Sequence, residues 1–219
     1  MLKFIGLVLL GLFAALSAEA SENSFDAELK TVMARWAEIK YEQPESRQED
    51  AFEVLVRDAT ALRERYPKRA EPKVWEAIVR ARFAGSMGVF RSLYAALPEV
   101  KKARDLLLAA EKIDPQVLDG SIYTSLGSLY YMVPGSPLGF GDSDQALRYL
   151  EKAAEMNPDG IDPNFFLGDY WREQGEKENA VRFFTKALAA PDRPARELAD
   201  AGRREEIRTA LHELGRGRP

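Results

Sequence analysis

At 219 residues the chain is long enough for one domain with a substantial core. It has no cysteine, which excludes disulfides, thiolate metal sites and lipid attachment through sulfur. Its formal charge of −4 arises from interleaved acids and bases, which excludes the one-sided basic footprint of a nucleic-acid-binding surface.

The first element, residues 1–20, reads as a cleaved signal peptide rather than as fold. Lys3 gives a positive start, an apolar run from Phe4 to Leu16 follows, and Ala18-Glu19-Ala20 supplies the small-x-small cleavage pattern before Ser21. The run falls short of the about 20 apolar residues that span a bilayer comfortably. An uncleaved anchor is the alternative reading. Export without disulfides points to a bacterial periplasm.

Residues 25–40 and 47–66 form a degenerate helix pair, with Leu29, Val32, Met33, Trp36 and Ile39 keeping the 3.6-residue rhythm. Trp75 opens the first helix of a clearer pair, and Ala103, Leu107 and Ala110 lie on its second helix, with Pro115 beyond. The same intervals recur at Ala146, Leu150, Ala153 and Pro158. A step of 34 residues from there reaches Ala180, Phe184 and Ala187. Leu126-Gly127 with Tyr130, and Leu167-Gly168 with Trp171, mark the partner helices, where glycine permits close helix contact. This period and pattern are the tetratricopeptide-repeat (TPR) signature. Residues 193–214 read as a closing helix with Leu198, Ala201, Ile207, Leu211 and Leu214 on one side and Gly215 ending it. The fold expected over residues 21–219 is an all-α, TPR-like α-solenoid of about four helix pairs plus a C-terminal cap, with clear repeats over about 98–190.

Two repeats depart from the period. Gly168 to Ala180 spans 12 residues, whereas Gly127 to Ala146 spans 19, so seven extra residues fall within 132–142. Trp75 to Ala103 is stretched by about a dozen around 85–94. Both insertions sit between first and second helices and are expected on one edge of the array. They carry Met87, Phe90 and Tyr94 in one, and Met132, Leu138 and Phe140 in the other. Two readings stand: a binding rim, or side chains that fold back to plug the hollow. Asp142 is expected to cap the next helix, with Gln145 completing a capping box.

No catalytic constellation emerges. His212 is the sole histidine and lies in the mixed-charge closing helix, so it reads as a surface residue. The glycines of 135–141 lack a following Lys-Ser/Thr, so they make no P-loop. Asp142 and Asp144 lack the third ligand, central glycine and closing Glu of a calcium loop. Glu205-Glu206 among arginines reads as solvated ion pairing. The expectation is a non-enzyme with no cofactor and no metal. The concave face is expected to show Thr124, Ser128 and Tyr131 in one repeat and Phe165, Asp169 and Arg172 in the next. Such a partly aromatic surface suits an apolar ligand with a polar end at least as well as a peptide.

The stretch Pro134-Gly-Ser-Pro-Leu-Gly-Phe-Gly-Asp142, followed by Ala146, Leu150, Ala153 and Asn157-Pro158, resembles the T-component family of TRAP transporters. The tail over 190–204 resembles that family's closing segment. The resemblance implies an accessory protein beside a periplasmic solute-binding protein or other envelope partner, with a hydrophobic channel for an apolar or carboxylate-bearing small molecule. It also implies a homo-oligomer, trimeric in described members. Those members look like lipoproteins, and this chain departs from them in lacking the lipid-accepting Cys. The second functional expectation, of a different class, is a protein–protein interaction scaffold for envelope assembly.

Overall fold

The computed structural model describes the backbone of residues 2–87 and 92–216, and side chains over 22–87 and 95–215. The side chains of residues 1–21, which the signal-peptide reading rests on, and those of Phe90 and Tyr94 lie outside the described residues. The elements in chain order are α1 (Leu2–Glu42), α2 (Glu45–Arg65), α3 (Glu71–Ser86), α4 (Ser92–Ile113), α5 (Ser121–Met132), α6 (Ser143–Met156), α7 (Ile161–Glu173), α8 (Lys177–Leu188) and α9 (Glu197–Arg216). The described residues are thus all-helical: four helix pairs stacked as a solenoid and a closing helix.

Sequence spacing explains the pairing. Ala103, Leu107 and Ala110 on α4, Ala146, Leu150 and Ala153 on α6, and Ala180, Phe184 and Ala187 on α8 are all fully buried. The small residues let the partner helix approach, and the large one fills the remaining gap. The glycines of the first helices meet these large residues directly. A Cβ at Gly127 would fall 2.6 Å from Leu150, and one at Gly168 would fall 2.7 Å from Phe184. Burying each such Leu or Phe stabilises by roughly 1.5–3 kcal/mol, so Leu150→Ala is expected to cost about 2–5 kcal/mol. Gly175, at φ +80°, makes the left-handed turn into α8 that a side chain would strain.

Three expectations change. The excess around 85–94 is shared between a shorter connection and an N-terminal extension of α4, which begins at Ser92. The closing helix begins at Glu197, because Ala195 adopts φ 57°, and it runs past Gly215 to Arg216. The capping box is half formed: Asp142 Oδ1 accepts from Gln145 N at 2.8 Å, but the Asp142 N–H donates to Tyr130 O instead. The Gln145 side chain accepts from Arg148.

α9 does more than cover the last repeat. It packs on α8 and α7 and also reaches back to α1. Ala199 joins the N-terminal core around Trp36 and Trp75, while Ile207 and Ala210 join the C-terminal core around Phe165 and Phe184. Ala201, expected on the inner side, is exposed. The solenoid therefore closes into a ring, and its concave side becomes a cavity.

Candidate ligand cavity

The first helices α1, α3, α5 and α7 face inward and α9 crosses between the two ends, bounding a cavity of about 960 Å³ that is open to solvent. That lies toward the upper end of the volumes of small-molecule sites, about 300–1,000 Å³. Trp36, Trp75, Ile78, Leu129, Met132 and Phe165 give the cavity its apolar ground. Trp36 and Trp75 meet edge-on with ring centres 6.4 Å apart. Their indole N–H groups are buried and have no acceptor.

Set into this wall is a chain of charges, with Asp200 and Arg203 buried and Lys40, Asp162, Arg193 and Glu206 partly buried. Asp162, one residue into α7, accepts from Arg203 Nε at 3.0 Å and from Arg193 Nη1 at 2.7 Å. Arg203 Nη1 donates to Glu206 at 2.6 Å, and Glu206 pairs in turn with Lys40 of α1. Arg193 also donates its backbone N–H and its Nε to Asp200, each at 2.9 Å. Arg203 stacks 4.0 Å from the Phe165 ring centre. The charges thus tie α7 to α9, and α9 to α1.

The surroundings set the protonation of these groups. Burial alone would raise the Asp162 carboxyl, but the guanidinium groups of Arg203, Arg193 and Arg196 hold it well below the usual carboxylate range. Burial also disfavours the Glu206 carboxylate, and Arg203 and Lys40 overcome it. Lys40 is lowered to about 8, first by burial and then by Arg203, against the pull of Glu206. Tyr131 donates to Asp169 Oδ2 at 2.6 Å, and burial followed by the Asp169 charge pushes its phenol well up.

Of the residues singled out from sequence, Thr124, Ser128, Met132, Phe165, Asp169 and Arg172 line the cavity, and Tyr131 stands behind Asp169. Met87 is partly buried and outside the lining. Phe140 packs edge-on against Tyr130, with ring centres 5.3 Å apart, and lies 4.7 Å from the Arg104 guanidinium of α4. Leu138 is 55% exposed. The 133–142 connection thus folds onto the second-helix side, away from the lining.

Sequence reasoning missed the ion chain. The sequence reads Glu205-Glu206 among arginines as solvated ion pairing; Glu205 is exposed, but on the same helix Asp200 is 1% exposed and Arg203 7%. A signal was present: Arg196, Ala199, Asp200, Arg203, Glu206, Ile207 and Ala210 recur at three- and four-residue spacing, one continuous stripe carrying charge and apolar residues alike.

The fold and the cavity define a TPR-like all-α solenoid, a class whose curved inner surfaces serve binding and generally mediate protein–protein interaction. A thermophilic TPR protein of Thermus thermophilus is similar in structure, with a TM-score of 0.55 and 16% sequence identity over 90% of this chain and 95% of that one. No family model and no curated protein sequence matches the chain. Among the described residues no helix is long and apolar enough to cross a membrane, and no group of acidic or histidine side chains is placed to hold a metal ion.

Proposed function

We propose that this chain is a non-catalytic binding protein that holds an apolar or amphipathic ligand inside the ring closed by α9. The carrying observation is the cavity itself: about 960 Å³ walled by Trp36, Trp75 and Phe165, with a helix laid across it. A concave, mostly apolar space of this size with a few convergent polar groups has the character of a small-molecule site. The signal-peptide reading of residues 1–20 assigns the protein to a bacterial periplasm. The resemblance to T-components then gives it an accessory role, passing a solute to or from a solute-binding protein.

Mass spectrometry of organic extracts tests the reading. Protein purified from periplasm releases a stoichiometric small molecule, and a Ser128→Trp variant with wild-type helicity does not. Extracts of wild type and variant that are equally empty would contradict it. N-terminal sequencing of the same preparation tests the leader: a start at Ser21 is expected, and a retained Met1 would overturn it.

A second reading is a protein-interaction scaffold. It is favoured by the TPR-like fold and by Met132, which is 66% exposed at the cavity and offers a peptide apolar ground.

A further inference from the structure

Among the described residues, every cation in the inner wall but two has a carboxylate. Lys40 pairs with Glu206, Arg172 with Asp169, Arg193 with Asp162 and Asp200, and Arg203 with Asp162 and Glu206. Arg82 and Arg196 also line the cavity, and among the described residues neither forms an ion pair. Arg82 donates to the neutral Gln48 at 3.1 Å, and the Arg196 guanidinium lies 5.0 Å from the Trp75 ring centre. The Nε of each is buried without an acceptor. Among the other acids, Asp119 and Glu205 are exposed, Glu213 reaches Arg172, and Asp162, Asp200 and Glu206 act on these two arginines without contacting them.

Trp75, Ile78 and Arg82 follow one another at three- and four-residue intervals, so they share one face of α3. Arg196 covers the Trp75 end of that face. The neighbouring Trp36 and Trp75 N–H groups are likewise donors without acceptors. The cavity wall along this face therefore presents charge-bearing donors beside an aromatic floor. Asp162 and Asp200 act on Arg196, and Arg82 on Glu206, only from beyond ion-pair distance, so neither guanidinium has a carboxylate in contact, and an anion bound beside it supplies one.

Taking that cavity as the binding site, we propose that Arg82 and Arg196 receive the anionic head of an amphipathic ligand whose apolar body lies along Trp36, Trp75 and Ile78. The ligand class is an organic anion with an aliphatic or aromatic tail. Burial and the neighbouring Arg193 outweigh Asp162 and Asp200 in disfavouring the Arg196 charge, in the direction an incoming anion reverses.

Titration calorimetry on the full chain with decanoate and with decanol separates head from tail. Wild type is expected to bind decanoate at least about tenfold more tightly than decanol, the margin of a charge-assisted hydrogen bond. In the Arg82→Gln/Arg196→Gln variant that preference disappears while decanol binding remains, which also shows that the variant is folded. Equal affinities in wild type, or a preference that survives in the variant, would overturn the anion site and leave the cavity reading standing. Binding of neither probe by wild type would overturn both. A parallel titration with a free-acid leucine tripeptide distinguishes the source of the anion: tighter binding of the peptide than of decanoate would overturn the lipid-like body.

Discussion

Gly202 of α9 lies against the Tyr41 ring of α1, so close that a Cβ at position 202 would fall 2.3 Å from a ring carbon. This contact joins the last helix to the first, beside the Lys40–Glu206 pair. Gly202→Val forces the two helices apart. It is expected to cost about 1–3 kcal/mol by overpacking, read as a lower Tm, and to reduce ligand retention together with it. An unchanged Tm would contradict the closure of the ring.

Asp162 anchors two arginines that belong to the closing segment. Asp162→Asn removes one of the two carboxylate partners of Arg203 and of Arg193, which keep Glu206 and Asp200, so the cost falls below the about 3–5 kcal/mol of leaving a buried charge alone. The pH dependence has a definite sign. The folded-state value lies below the ordinary one, so its stabilisation is fully present above about pH 4, the unfolded value, and is lost as pH falls through the folded value. Urea unfolding from neutral to acid pH is expected to show a steeper acid loss in wild type than in the variant. Parallel curves would contradict this.

Lys40 acts in the alkaline range with the opposite sense. Its amine is lowered to about 8 in the fold and has an ordinary value of 10.5. Between those values the unfolded chain holds more protons at this site, so the contribution of Lys40 makes stability rise with pH. Tyr41, whose phenol burial pushes up, opposes this only near and above its ordinary value of 10.0. From about pH 8 to about 9.5 wild type is expected to gain stability that Lys40→Met does not. A gain of the same size in both proteins would contradict the assignment.

Phe140 packs on Arg104 and Tyr130 rather than into the cavity. Phe140→Ala is expected to destabilise by about 1–3 kcal/mol, a partly buried aromatic costing less than the about 3–5 kcal/mol of a fully buried one, while decanoate affinity stays as in wild type. Loss of binding without loss of stability would instead make the connection a binding rim.

The repeats were legible because their signal is local. Ala146, Leu150 and Ala153 lie within two turns of one helix, and their counterparts on α4 and α8 repeat the intervals. Gly127 and Gly168 were legible for the same reason, each meeting the large residue of its own pair. The Gly202–Tyr41 contact was not, since it joins distant segments and no local period encodes which helices meet across a ring. Asp200 and Arg203 were misread because a charged residue in a mixed-sign helix is ordinarily solvated; only the partners on α7 and α1 reveal that their stripe faces inward. The direction taken by the 133–142 connection was illegible too, because an apolar loop residue such as Phe140 packs equally well on either flank of a repeat.

The most direct test of the ring as a binding site is a crystal structure of the full chain purified without organic extraction or refolding. Continuous density between Trp36, Trp75 and Phe165, with a polar end at Arg82 and Arg196, is the predicted result. A cavity holding only ordered water, or a molecule bound instead on the outer flank beside Phe140, would contradict it.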